Sequence, residues 1–235
     1  MKKTNKNIIW LAIAVFFMIP LAGCEKFLDR KPLQGTLDDY GVEQQVMGLY
    51  NIMRTYSGFN TLPWLDFHSI RDDDAQKGSS ATDGAEIIAE FETFQYTKDD
   101  WATNSYWNDH YYMINRCNSI LEILTLANLN DELSKRNEGE AKFIRAYSYF
   151  NLVRTYGEVP LFDAYVESPR LAIRAKATIA DIYALIDQDL TDAAGLLPLN
   201  WSTSAGNPFP GRLTKGAANT LAAQTHMFRS NWSAA

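Results

Sequence analysis

The sequence predicts an all-α chain of tetratricopeptide-type helical repeats interrupted by long irregular loops. Three observations carry that prediction. Apolar residues recur at three- and four-residue steps over several long segments, which open at Asp or Thr and close at Gly or Pro. Small alanines and large aromatics share the helical faces, the combination by which stacked helix pairs bury a common core. No strict repeat of about 34 residues can be written, so the pattern indicates repeat architecture without fixing a unit.

The chain begins with Lys2, Lys3 and Lys6, then twelve apolar residues from Ile8 to Ile19, then Pro20-Leu21-Ala22-Gly23-Cys24. As a helix, those twelve residues span roughly 18 Å, short of a hydrocarbon core of about 30 Å. Residues 1–23 therefore read as a cleaved signal peptide rather than a permanent anchor. Leu21-Ala22-Gly23-Cys24 looks like a bacterial lipobox, in which the Cys24 thiol is acylated and becomes the new N-terminus. Two or more acyl chains hold a protein stably to a leaflet. Cys117 is then left without a partner and is expected to be a buried apolar residue. Residues 24–37 carry Pro32 and Gly35 without period and suit a tether; residues 38–235 form the helical domain.

Within that domain, Val46, Leu49, Tyr50 and Met53 mark a first helix beginning near Asp38 and stopped by Ser57-Gly58. Residues 57–100 have no sustained period, are rich in Asp, Gly, Ser and Thr, and include Trp64, Phe67, Phe91, Phe94 and Tyr96; they read as a long loop region. Trp107, Tyr111, Ile114, Asn118 and Leu121 mark a second helix starting near Asp99 or Asp100. A third runs from about Asp131 to Tyr156 and ends at Gly157, with Pro160 beyond. Thr178 and Asp181 form a capping box for a fourth, carrying Ile182, Ile186, Leu190 and Leu197 up to Pro198. Thr214 is placed to cap a fifth through Ala217, Ala218, Leu221, Ala222 and Phe228. Asn231-Trp232-Ser233 looks like the turn into a sixth, so the chain reads as incomplete at its C-terminus.

Composition narrows function by exclusion. The 235 residues carry 22 Lys and Arg against 28 Asp and Glu, and the only charges in the first 23 are three lysines, so the mature part lies near −9. That balance disfavours a nucleic-acid or anionic-membrane surface. His68, His110 and His226 are isolated, without the spacing of a zinc set, and no Gly-x-Ser-x-Gly elbow occurs; no metal, cofactor or catalytic set is expected. Gly206 to Thr214 has the outline of a phosphate-binding loop, but Arg212 stands where Lys belongs and Pro208 and Pro210 remove backbone donors. Arg71-Asp72-Asp73-Asp74 lacks the alternating Asp and Gly spacing of a calcium loop. Paired glycosidase carboxylates are not legible from residue type among 28 acids.

Residues 140–162, from Glu140-Ala-Lys-Phe-Ile-Arg145 through Gly157-Glu-Val-Pro160 to Phe162, closely resemble the hallmark of the SusD/RagB family of surface glycan-binding lipoproteins. Trp107, Tyr111, Ile114 and Asn118 resemble that family's preceding helix, Arg174 to Pro198 its following one, and Gly211 to Ala218 the next. The resemblance implies a SusD-like helical fold and outer-leaflet anchoring at the cell surface. It also implies capture of oligosaccharide or another nutrient, and delivery to a SusC-like TonB-dependent transporter. Two other classes stay open: a surface glycoside hydrolase, and a helical-repeat adaptor that binds no ligand. Family members are usually about twice this length. The hallmark segment itself reads mostly as scaffold, with Glu140 and Arg145 suited to cross-helix pairs.

A glycan needs aromatic faces for the C–H faces of its rings and fixed polar groups for its hydroxyls. The 57–104 region offers both. Trp64 and Trp101 are the expected stacking platforms, with Arg71, Asp72, Asp73 and Asn104 as hydroxyl partners.

Overall fold

A computed structural model describes residues 41–54, 62–73, 75–78, 85–202 and 209–235. The signal peptide, Cys24 and the tether lie outside the described residues. The described part is helical, with no strand beyond one isolated bridge between Pro160 and Lys176. Its helices are α1 (Val42–Met53), α2 (Leu62–Leu65, continued by a π-helical turn Asp66–Ile70), α3 (Ala85–Glu92), α4 (Trp101–Leu126), α5 (Glu132–Tyr156), α6 (Ile179–Leu196) and α7 (Lys215–Phe228).

Consecutive helices from α4 onward pack on one another in chain order, and α1 lies against both α4 and α5. The expected caps are in place. Asp131 accepts the amides of Leu133 and Ser134 at 2.9 and 3.1 Å and starts α5. Thr178 accepts the Asp181 amide at 3.1 Å and starts α6, and Thr214 accepts that of Ala217 and starts α7. Gly157, at φ 71, stops α5 in a conformation that L side chains resist.

α5 is the centre of the stack and is buried nearly all round, so it shows little amphipathic contrast. Gly139 lets α6 approach it: a Cβ there would lie 3.0 Å from Leu196 Cβ and from Leu197 Cγ. The main core joins Val42, Val46 and Leu49 of α1 to Ile114 and Ile120 of α4, Ile144, Tyr149 and Phe150 of α5, and Ile182, Ile186 and Leu190 of α6. Cys117 is buried in it, and burial pushes its thiol well above the ordinary range, as expected of an inert residue.

Two buried ionic networks tie the helices together. Arg145 of α5 donates to both carboxylate oxygens of Asp189 at 2.8 and 2.7 Å and to Asn118 Oδ1 at 2.6 Å, while Asn118 Nδ2 donates to the carbonyls of Phe162 and Ala164. Arg212 donates to Glu140, to Glu43 at 2.6 Å and to Asn137 at 3.2 Å, with its guanidinium 4.1 Å from the Trp201 ring centroid. Burial raises the Glu140 carboxyl, and the bonds from Arg212 oppose that shift. The hallmark residues Glu140 and Arg145 are thus occupied in cross-helix pairing, as is the arginine of the phosphate-loop look-alike.

The 57–100 region departs from the reading as loop. It carries α2 and α3 and a small core of its own, made by Phe67, Phe91, Ala102 and Tyr106 with Trp64, Ile70, Tyr96 and Tyr156 against it. Phe67 meets Phe91 edge-on at 5.0 Å, and Phe91 stacks on Tyr96 at 4.5 Å. Four- and eight-residue helices with a π turn between them leave no run long enough for a period to register.

Candidate functional site

The small core has one open side. A cleft of about 760 Å³ is lined there by Trp64, Phe67, His68, Arg71, Asp72, Asp73, Phe94, Arg154, Thr155, Gln224 and Phe228. Four parts of the chain build it: α2 and the turn after it, the turn after α3 that carries Phe94, the last turn of α5, and the C-terminal end of α7. The π-helical turn Asp66–Ile70 shapes one wall. Phe67 is buried in the small core while Trp64 and His68, their rings 5.1 Å apart, look into the cleft.

Arg71 lies over three rings, 5.3 Å from Tyr96, 5.7 Å from Phe94 and 6.0 Å from Phe67. Phe94 has φ 56 and is 62% exposed, so the left-handed turn after α3 presents its ring instead of burying it. His68 Nε2 and the Tyr106 hydroxyl are in hydrogen-bond contact at 2.8 Å. Burial, then the charges of Arg154 and Arg71, hold His68 down at about 4, so it is neutral at pH 7. Asp66, one residue from this wall, is fully buried, and neither oxygen meets a donor among the described residues; burial pushes its carboxyl up to about 7.

Four of the six residues expected at a site line this cleft: Trp64, Arg71, Asp72 and Asp73. The other two lie elsewhere. Trp101 is the first residue of α4 and is 43% exposed, so it is not a core ring. Asn104 is exposed one turn on, with Nδ2 donating to the Asp100 carbonyl at 3.3 Å. Neither lines the cleft. Sequence reasoning missed Phe94, Arg154, Gln224 and Phe228. Arg154 had a faint signal, an Arg four residues after Phe150 at the end of a helix; the contribution of α7 had none, because only the fold brings it there.

A second groove, of about 680 Å³, runs between α4 and residues 160–172, lined chiefly by Trp107, Tyr111, Tyr112, Phe162 and Val166. Trp107, which marked the second helix in sequence, is half-buried at the edge of the main core. Among the described residues no cluster of His, Cys, Asp and Glu is arranged to hold a metal ion, and no helix is long and apolar enough to cross a membrane.

A helical-repeat stack with an aromatic and charged cleft defines a class of binding scaffold, and comparison with known proteins identifies which. The SusD-like family described as "Starch-binding associating with outer membrane" matches residues 26–227. The chain belongs to the SusD-like family, a family of carbohydrate-binding proteins associated with the outer membrane. It is 25% identical to SusD-like protein P25 of Formosa agariphila over 97% of its length and 26% identical to a SusD-like protein of Bacteroides ovatus over 94%. It spans 44% and 39% of those relatives' own lengths. Among solved structures, a laminarin binding SusD-like protein superposes with a TM-score of 0.67 at 30% identity, covering 83% of this chain and 42% of that one. Surface glycan-binding protein A from Bacteroides uniformis superposes at 0.70 with 19% identity, covering 83% and 43%, a likeness of fold.

Proposed function

We propose that this protein is a surface lipoprotein that captures an oligosaccharide without cleaving it and delivers it to a SusC-like TonB-dependent transporter. The family membership and the laminarin binding of the 30% identical neighbour support a saccharide ligand. The observation that carries the site is the convergence of Trp64, Arg71, Asp72 and Asp73 on one cleft with the exposed ring of Phe94. Rings supply faces for the apolar side of a sugar, and the guanidinium and carboxylates supply donors and acceptors for its hydroxyls. Trp101 and Asn104, outside the cleft, form a second and separate contact for a longer chain. Residues 1–23 act as the signal peptide, residues 24–37 as the tether and Cys24 as the lipidated anchor.

An aromatic platform contributes on the order of 1 kcal/mol, so Trp64→Ala weakens oligosaccharide binding by about fivefold or more. Trp101→Ala affects long ligands more than short ones. Calorimetric titration of the purified protein, with reducing-sugar release measured on the same samples, checks both claims. Unchanged affinity in a folded Trp64→Ala, Trp101→Ala double variant removes both rings from the site, and sugar release replaces the binding reading with a hydrolase. Anchoring and partnership are tested together: a SusC-like transporter co-purifies from membranes with the native protein and is lost with Cys24→Ser. Retention of Cys24→Ser in the detergent phase contradicts the anchor, and failure to recover a transporter with the native protein contradicts the partner.

A further inference from the structure

The cleft holds two arginines that have no carboxylate partner among the described residues. Three other buried or half-buried arginines are given carboxylates: Arg145 has Asp189 at 2.7 Å, Arg212 has Glu43 at 2.6 Å as well as Glu140, and Arg229 has Asp187 at 2.7 Å, while half-buried Arg136 rests against the Trp201 ring outside the cleft. Arg71 and Arg154 make no ion pair among the described residues, in a chain with six more negative than positive charges. Both are held by aromatic faces. Arg71 sits over Tyr96, Phe94 and Phe67, and Arg154 lies 4.4 Å from Phe150 and 5.1 Å from Phe228. Stacking fixes a guanidinium plane while leaving its edge of N–H groups available, the arrangement that suits bidentate capture of a carboxylate or sulfate. Arg154 donates to Asn151 Oδ1, and Arg71 Nε is buried with no hydrogen-bond partner among the described residues.

His68 stands on the same wall and adds no charge at neutral pH, being held at about 4. The carboxylates that line the cleft, Asp72 and Asp73, are exposed and make no ion pair among the described residues. They set the polarity of the ligand. A ligand anionic on every side is repelled by them, whereas one that combines a single anionic group with hydroxyls satisfies arginines and carboxylates together.

We propose that the cleft selects an acidic saccharide, whose carboxylate or sulfate ester is bound by Arg71 and Arg154 while its hydroxyls meet Asp72 and Asp73. This deepens the saccharide reading above and rests on it. The test is titration of the purified protein with three sets of oligosaccharides of equal length: neutral β-glucans, uronic-acid oligosaccharides and sulfated galactan oligosaccharides. The acidic sets bind at least tenfold tighter than the neutral one, and reducing the uronic carboxylates to alcohols removes the advantage. The uronic and sulfated arms distinguish the two anionic groups. Arg154→Gln and Arg71→Gln each weaken acidic binding tenfold or more. Arg71→Lys and Arg154→Lys, which keep the charge and lose the fork, fall between native and Gln. Neutral binding that equals or exceeds acidic binding overturns the inference and leaves the saccharide reading standing, as does acidic binding that folded Gln and Lys variants do not change. Failure of all three sets to bind overturns both.

Discussion

Asp66 shows how a single residue sets a cost in this fold. Its carboxyl is fully buried without a donor among the described residues, and burial raises its pKa from 3.8 to about 7. A raised carboxylate pKa means that the unfolded chain releases the proton near pH 3.8 while the folded chain keeps it to about 7, so stability falls as pH rises through that window and is level above it. Asp66→Asn removes the titration and should raise the melting temperature at pH 8, with a smaller gain at pH 5. A melting temperature that falls at pH 8 would show that the carboxylate is held by an interaction the native fold needs. His68 runs the other way about neutrality: its pKa is lowered from 6.5 to about 4, so the stability it permits at pH 7 is lost as pH falls through that interval. At this scale the sequence was partly legible. Glu140 and Arg145 could be assigned to cross-helix pairs because charged residues inside an apolar helix need partners, but Asp66 could not be recognised as buried, because its neighbours in sequence carry no period.

Helices were legible where caps and length agreed. Asp131, Thr178 and Thr214 each bond the amides that a helix start leaves unmade, and their helices run 14 to 25 residues. α2 and α3 were not legible, being short and stabilised by the small core around Phe67 and Phe91 rather than by a stripe of their own. Two glycines on long helices make the packing claim testable. Gly48 of α1 has open space where a Cβ would be, whereas at Gly139 of α5 a Cβ would press within 3.0 Å of Leu196 and Leu197. Alanine is favoured over glycine in a helix by about 1 kcal/mol, and overpacking costs about 1–3 kcal/mol. Gly48→Ala should therefore raise the melting temperature by a few degrees and Gly139→Ala should lower it. Equal shifts in thermal denaturation would contradict the close α5–α6 approach.

The molecule as a whole places the proposed ligand chemistry where elements distant in sequence meet. α2 with the turn after it, the turn after α3 and the ends of α5 and α7 form one cleft, and only the first two were marked in the sequence by clustered aromatics and charges. Arg154 and Phe228 belong to segments whose spacing reads as scaffold, and their role emerges from the stack that brings them to Trp64 and Arg71. The central claim is that the saccharide lies in this cleft rather than in the apolar groove beside α4. Hydrogen exchange on the purified protein, with and without a saturating oligosaccharide identified by titration, tests it most directly. The account predicts new protection in residues 64–73, 94–97 and 151–156; protection confined to residues 107–115 and 160–172 would contradict it.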